Sequence, residues 1–194
     1  MGETRFESAL ADCLDEGLET TLAEARKGSR EAFDALIRRF EKKVMKTALY
    51  LTGNLADAED AAQEVYIKIF RFLPAQREEG KLERWIYRIT VNAVRDLRRR
   101  RVLRLPIELF VAAVRPRDPV VQGEVRGRLL GALGRLSFRE RTAFILTQLE
   151  ELETSEVAEI LGCSPVTVRG HVHSARAKLR RSFRDLKEYA WTVL

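Results

Sequence analysis

At 194 residues the chain has room for one ordinary domain or two small ones, and a hydrophobic content of 45% excludes a wholly disordered polymer. The formal charge of +6 points toward a polyanionic partner. Its distribution says more than its sum: seven acids stand against one arginine from Met1 to Glu24, ten basic residues against four acids from Arg77 to Arg104, and seven against one from Pro165 to Lys187. Two separated basic segments behind an acidic head read as two nucleic-acid contacts, the alternative being basic side chains that only solvate helix faces. Cys13 and Cys163 are the only cysteines, so there is no disulfide framework and no CxxC zinc spacing. The acidic N-terminus lacks the apolar stretch of a signal peptide, and no run of about 18 apolar residues occurs. A cytoplasmic protein without membrane insertion is expected.

The pattern is helical throughout. Ser29 is placed to cap a helix over 30–52 whose buried face carries Phe33, Leu36, Ile37, Phe40, Val44 and Ala48. Gly53 and Asn54 tolerate the left-handed conformation that ends it. Asp57 is the expected cap of DAEDAAQEVYIKIFRFL, with an apolar stripe of Ala58, Ala61, Ala62, Val65, Ile69 and Phe72 and a stop at Pro74. A polar loop, AQREEGK, leads into LERWIYRITVNAVRDLRRRR, whose buried side would hold Leu82, Trp85, Ile86, Ile89, Ala93 and Leu97. These helices predict one small bundle over 20–101, preceded by an acidic extension over 1–19.

Pro106, Pro116 and Pro119 interrupt the next stretch, so 102–118 reads as a linker. It is not a polar tether, because Leu103, Leu105, Ile107, Leu109, Phe110 and Val111 need something to dock on. A second unit over 119–187 follows, with Asp118 as its cap, and residues 188–194 form a tail. Ser137 and Glu140 have capping-box spacing and open a helix to about Leu149. In TSEVAEILGCSPVTVRGHVHSARAKLRRSF, Gly162 suits a helix end, Ser164 a cap and Pro165 a first helical position. That is a helix-turn-helix. The fold class is therefore all-α, with two small helical domains joined by a linker.

At about 100° per residue, Val168, Val172, Ala175 and Leu179 fall within roughly 60° of one another and form the scaffold side of the last helix. Gly170, His173 and Ser174 lie opposite, flanked by Arg169 and Arg176. Gly170 lets the helix approach base edges, and the arginines can reach guanines or phosphates. Residues two apart on a helix diverge by about 160°, so His171 and His173 cannot hold one metal ion together. Neither imidazole has a carboxylate or nucleophile on its face, so acid-base catalysis is not expected. No cofactor is expected.

Taken together, DAEDAAQEVYIKIF, WIYRITVNAVRDLRRR and LSFRERTAFILTQLEELETSEVAEILGCSPVTVRGHVHSARAKLRR resemble regions 2.2, 2.3–2.4 and 4 of the extracytoplasmic-function (ECF) group of bacterial sigma-70 factors. The resemblance covers about residues 20 to 187. It implies a non-enzymatic subunit that joins core RNA polymerase, recognises promoter −35 and −10 elements and helps open the duplex. It implies docking on the β′ clamp helices and contact with the β subunit, for which Asp57, Asp60, Gln63 and Glu64 are the polar candidates. The first two acids also suit a helix N-terminus. For the −10 element the candidates are Trp85, Arg88, Asn92 and Arg95, with Trp85 open to a core role instead. The 75–81 loop stands beside them, and the run from Arg98 to Arg101 suits phosphates. For the −35 element the matching positions are Thr167, Arg169, Gly170, His173, Ser174 and Arg176. RGHVHSAR carries fewer cations there than the common family pattern. An anti-sigma factor is a further implied partner.

Gly123, Gly127 and Gly131 recur every four residues and read either as a site of close helix packing or as a loose helix. The acidic head reads as a solubilising tail or as a shield for basic faces. Two rival functions make different demands on the sequence. An autonomous helix-turn-helix regulator would need no counterpart of DAEDAAQEVYIKIF, and a recombinase or nuclease would need a carboxylate cluster or an activated nucleophile, which the sequence does not offer.

Overall fold

The computed structural model describes residues 17–76, 82–104 and 124–182. All regular structure among them is helical. α1 spans 17–26, α2 Arg30–Thr52, α3 Leu55–Phe72, α4 Leu82–Arg104, α5 Glu124–Gly134, α6 Phe138–Gln148, α7 Thr154–Leu161 and α8 Pro165–Ser182.

Local chemistry sets most boundaries. Ser29 Oγ accepts from Ala32 N–H at 3.2 Å and starts α2, and Gly53 ends it at φ 84°. Asn54 does not belong to that ending. Its backbone is extended and its side chain caps α3, accepting from Asp57 N–H at 2.9 Å while its Nδ2 donates to Asp57 Oδ2 at 2.8 Å. Asp57 is therefore a first-turn residue and not the cap. Both residues have a cap's chemistry, and Asn54 is the one with extended backbone. Pro74 sits in a single 3-10 turn, Leu73–Ala75, that closes α3. α4 runs to Arg104, three residues into the stretch expected to be linker. The other linker residues, the proposed cap Asp118, Gly123, residues 1–16 of the acidic head and the C-terminal tail lie outside the described residues, whereas residues 17–19 of the head belong to α1.

Ser137 and Glu140 form the capping box of α6, with Ser137 N–H donating to Glu140 Oε2 at 2.9 Å and Glu140 N–H to Ser137 Oγ at 3.3 Å. Gly162 closes α7 at φ 63°, and Ser164 Oγ accepts from Thr167 N–H at 3.2 Å to open α8. Helix, left-handed glycine, cap and proline follow in order, and this is what turns α8 across α7. Cys163 is half-buried at that turn, packed against the core.

α1 to α4 enclose one apolar cluster, including Leu36, Phe40, Val65, Ile69, Leu82 and Ile86. Phe72, expected in that stripe, is half exposed at the helix end. A second cluster crosses between the two halves of the chain. It joins Leu49, Leu51, Tyr87, Val91 and Val94 to Leu130, Ile145, Leu146, Val157 and Val168. Polar contacts follow the same boundary. Arg141, buried, donates to Leu51 O at 2.8 Å, Arg84 pairs with Glu159 at 3.0 Å, and the Arg98 guanidinium lies 5.0 Å from the centre of the Phe138 ring. Burial, and then the charge of Arg98, pull the Arg141 guanidinium down to about 10. Burial also lowers Arg98.

Gly127 and Gly131 do not mediate close packing among the described residues. A Cβ built on either would meet nothing within 4 Å. Within the described residues, neither a backbone nor a side chain presses on these two glycines.

Candidate nucleic-acid interfaces

α8 is held by one side only. Val168, Ala175 and Leu179 are buried, and Val172 is half-buried against the same core. That anchorage leaves Arg169, Gly170, His173 and Arg176 exposed, with open space around Gly170. By helical spacing, these four fall within an arc of about 120°. Ser174 and Thr167 lie on its flank. Ser174 is half-buried, and the Thr167 hydroxyl is 2.8 Å from Ser164 Oγ, so it also serves the cap. Arg176 donates to the Gln148 side chain at the end of α6, and Gln148 Nε2 donates to Thr147 Oγ1 at 3.2 Å, which steadies that guanidinium. His171 points toward the scaffold flank, half-buried, with Nε2 enclosed and unpartnered. The two imidazoles thus look in different directions.

Val166 was not singled out from sequence. It is 67% exposed and shares the arc of His173 and Arg169. The signal was present, since an apolar residue on the polar side of a recognition helix has no scaffold to meet. A methyl-bearing side chain there suits the C5-methyl of thymine.

α4 has three sides, each with its own task. Leu82, Ile86 and Ala93 face the α1–α4 core, and Tyr87, Val91, Val94 and Arg98 face the second half of the chain. Trp85, Arg88, Asn92 and Arg95 fall within about 80° of one another on the remaining side. Arg88 and Arg95 are exposed there, and Asn92 Oδ1 accepts from Arg95 Nη2 at 2.7 Å. Trp85 is half-buried and packs partly against the bundle core. Residues 77–81 of the adjoining loop lie outside the described residues.

On α3 the polar candidates separate. Asp60 and Gln63 are exposed, whereas Glu64 is half-buried and pairs with Lys68 at 3.4 Å. Asp57 is buried, and its carboxylate takes both terminal nitrogens of Arg101, so it has no free face for a partner. Two large apolar side chains stand beside Asp60 and Gln63: Ile67 at 63% exposure and Phe70 at 68%. By spacing, these four occupy an arc of about 80°. Phe70 meets Phe33 of α2 edge-on at 5.1 Å between ring centres.

Comparison with known proteins covers both halves. Residues 36–103 match sigma-70 region 2, and residues 126–179 match sigma-70 region 4. The ECF RNA polymerase sigma factor SigM of Mycobacterium tuberculosis is 30% identical over 154 residues, covering 79% of this chain and 78% of that one. SigW of Bacillus subtilis, also an ECF RNA polymerase sigma factor, is 27% identical over 179 residues, covering 85% and 96%. Among solved structures, CnrH in complex with the cytosolic domain of CnrY shares the fold at a TM-score of 0.64 and 24% identity, covering 87% of this chain and 97% of that one. RpoE of Bartonella quintana, co-crystallised with the anti-sigma factor NepR, gives 0.70 at 20% identity, covering 78% and 96%.

Proposed function

This chain belongs to the ECF sigma factors of the sigma-70 family, which direct RNA polymerase in transcription initiation and are not enzymes, and from that premise we propose how its surfaces divide the work. The polymerase-binding and −10 unit is drawn at 20–101, and the −35 unit at 119–187.

α8 enters the major groove of the −35 element. Arg169 and Arg176 reach guanine edges or phosphates, Gly170 admits close approach, and His173 and Val166 read neighbouring bases, with Thr167 and Ser174 at the margin. α4 meets the −10 element. There Asn92 and Arg95 act as a pair, Arg88 grips the backbone, and Trp85 offers its exposed part as a stacking face for an unstacked base. The exposed arc of α3, with Asp60, Gln63, Ile67 and Phe70, docks on the β′ clamp helices of core polymerase, Glu64 standing at its edge. Asp57 supports that helix from within. Polymerase contact extends to the β subunit, and an anti-sigma factor controls access to these faces. All of this takes place in the cytoplasm. Among the described residues no helix is long and apolar enough to cross a membrane.

The observation that carries this reading is the one-sided anchorage of α8, which leaves Arg169, Gly170, His173 and Arg176 open to a partner. The test is transcription by core polymerase reconstituted with the purified chain on a mapped promoter. Block substitution of −35 bases should abolish initiation by the wild type. Alanine at Arg169 and His173 should relax the base preference at the corresponding positions. Unchanged base preference in those variants would overturn the assignment of α8.

A further inference from the structure

The faces proposed for the two promoter elements sit on a molecule whose halves share one core. The polar centre of the boundary is Glu150, just beyond α6. Its side chain is 4% exposed, yet its carboxylate meets two groups from the other half of the chain. Oε2 accepts from the Tyr87 hydroxyl of α4 at 2.7 Å, and Oε1 lies 3.2 Å from Lys46 Nζ of α2, an ion pair without hydrogen-bond geometry. Lys46 also donates to Leu149 O at 3.3 Å. Burial, and then the Glu150 carboxylate, push the Tyr87 phenol up, so it remains a donor.

The same boundary contains elements that oppose closure. Arg98 lies over Phe138 with Nη1 enclosed and unpartnered, and its charge acts on the buried Arg141. A buried unpaired N–H and two like charges both weaken the closed form. The interface is therefore built to close and also to come apart.

Spacing makes the opening necessary. Elements named −35 and −10 begin about 25 base pairs apart, on the order of 80 Å at about 3.4 Å per step. A compact chain of this length is about 40 Å across. Both reading faces remain exposed in the closed form, so closure does not hide either one. It prevents their simultaneous use.

We propose that Glu150 is an intramolecular latch, holding Tyr87 and Lys46 in the free chain and releasing them before both halves engage one promoter. The inference rests on the assignment of α4 and α8 to two separate elements.

The experiment places a donor and an acceptor dye, one on each half of the full-length chain, and reads their distance by single-molecule fluorescence without DNA. The wild type should be mostly closed. Tyr87→Phe with Glu150→Gln should raise the open population about tenfold or more, the size expected when a hydrogen bond to a charged group is lost. Glu150→Lys should open the chain further, and adding Lys46→Glu should close it again. With core polymerase, the open variants should form complexes faster on a promoter carrying both elements. Their affinity for a fragment carrying the −35 element alone should equal that of the wild type. A wild type already open in solution, or equal distances in all variants, overturns the latch. Failure of every chain to bind the −35 fragment would instead count against the α8 assignment, because the distance measurement contains no DNA.

Discussion

The Asp57 carboxylate accepts from both terminal nitrogens of Arg101, joining the first turn of α3 to the last turns of α4. The aspartate side chain is 9% exposed and the arginine 45%, so the pair has a dry end and a wet end. Replacing Asp57 by Asn would take a charged partner from a guanidinium that water already reaches. The cost should therefore be about 1–2 kcal/mol, less than for a fully buried pair. Urea denaturation should show that loss, with polymerase affinity of the folded fraction unchanged. A specific loss of polymerase binding at wild-type stability would return Asp57 to the docking face.

The converse is expected of Ile67. Because it is 63% exposed, Ile67→Asp should alter stability by no more than about 0.5 kcal/mol. If α3 docks on polymerase through this arc, the same change removes apolar area from the contact and places a charge there. Affinity for core enzyme should fall by about 1.5–3 kcal/mol. Titration of labelled chain against core polymerase measures it, and full affinity in Ile67→Asp would rule out this arc of α3.

What was legible in the sequence was local. Ser29, Ser137, Gly162 and the Ser164–Pro165 pair act on atoms within four residues, so type and spacing suffice to place them. The exposed side of α8 was legible for the same reason, since helical geometry turns Val168, Ala175 and Leu179 away from His173. Asn54 and Asp57, three residues apart, both have a cap's chemistry and are not separable by type, so spacing alone puts Asp57 in the place of Asn54. The contacts that decide the rest join distant positions. Tyr87 and Glu150 are 63 residues apart, and Asp57 and Arg101 are 44 apart. Neither pair carries a local signal, so the shared core between the halves could not be read. Ile67 and Phe70 were legible in principle, as a second apolar arc on a helix that needed only one.

Arg169 offers a sharp test of base reading. It is exposed on the open arc of α8, away from the core. Arg169→Ala should cost about 1–3 kcal/mol and relax preference at one base position of the −35 element. Competition binding against the four base variants at each position distinguishes this from a phosphate contact, which would weaken all sequences equally and reduce the salt dependence by about one ion.

Gly127 should be replaceable to advantage. It lies inside α5, and an added Cβ would meet nothing within 4 Å. Gly127→Ala should therefore stabilise the chain by about 0.5–1 kcal/mol, mainly by restricting the unfolded state. A raised denaturation midpoint would confirm it. A loss of stability would mean that something outside the described residues covers this face.

Glu140 should contribute to the acid sensitivity of the second half. Burial pushes its carboxyl up, but hydrogen bonds from Lys178 Nζ at 2.7 and 2.8 Å and from the Ser137 backbone and side chain outweigh that, and the group ends below the usual carboxylate range. A carboxyl depressed in the folded state stabilises fully above its unfolded value of about 4.3, and that contribution is lost as pH falls through the folded value. Glu140→Gln removes the titration together with the ion pair. Near pH 7 the variant should be less stable by about 1–2 kcal/mol, because Lys178 loses its partner and the capping box loses a charged acceptor. As pH falls through the folded-state value, which lies below the usual carboxylate range, wild type and variant should converge, since the wild-type carboxyl takes up its proton there. Urea midpoints measured from pH 7 down to pH 3 give both arms. Parallel curves across that range would show that other carboxylates carry the acid sensitivity, and that the Lys178 contact contributes nothing to it.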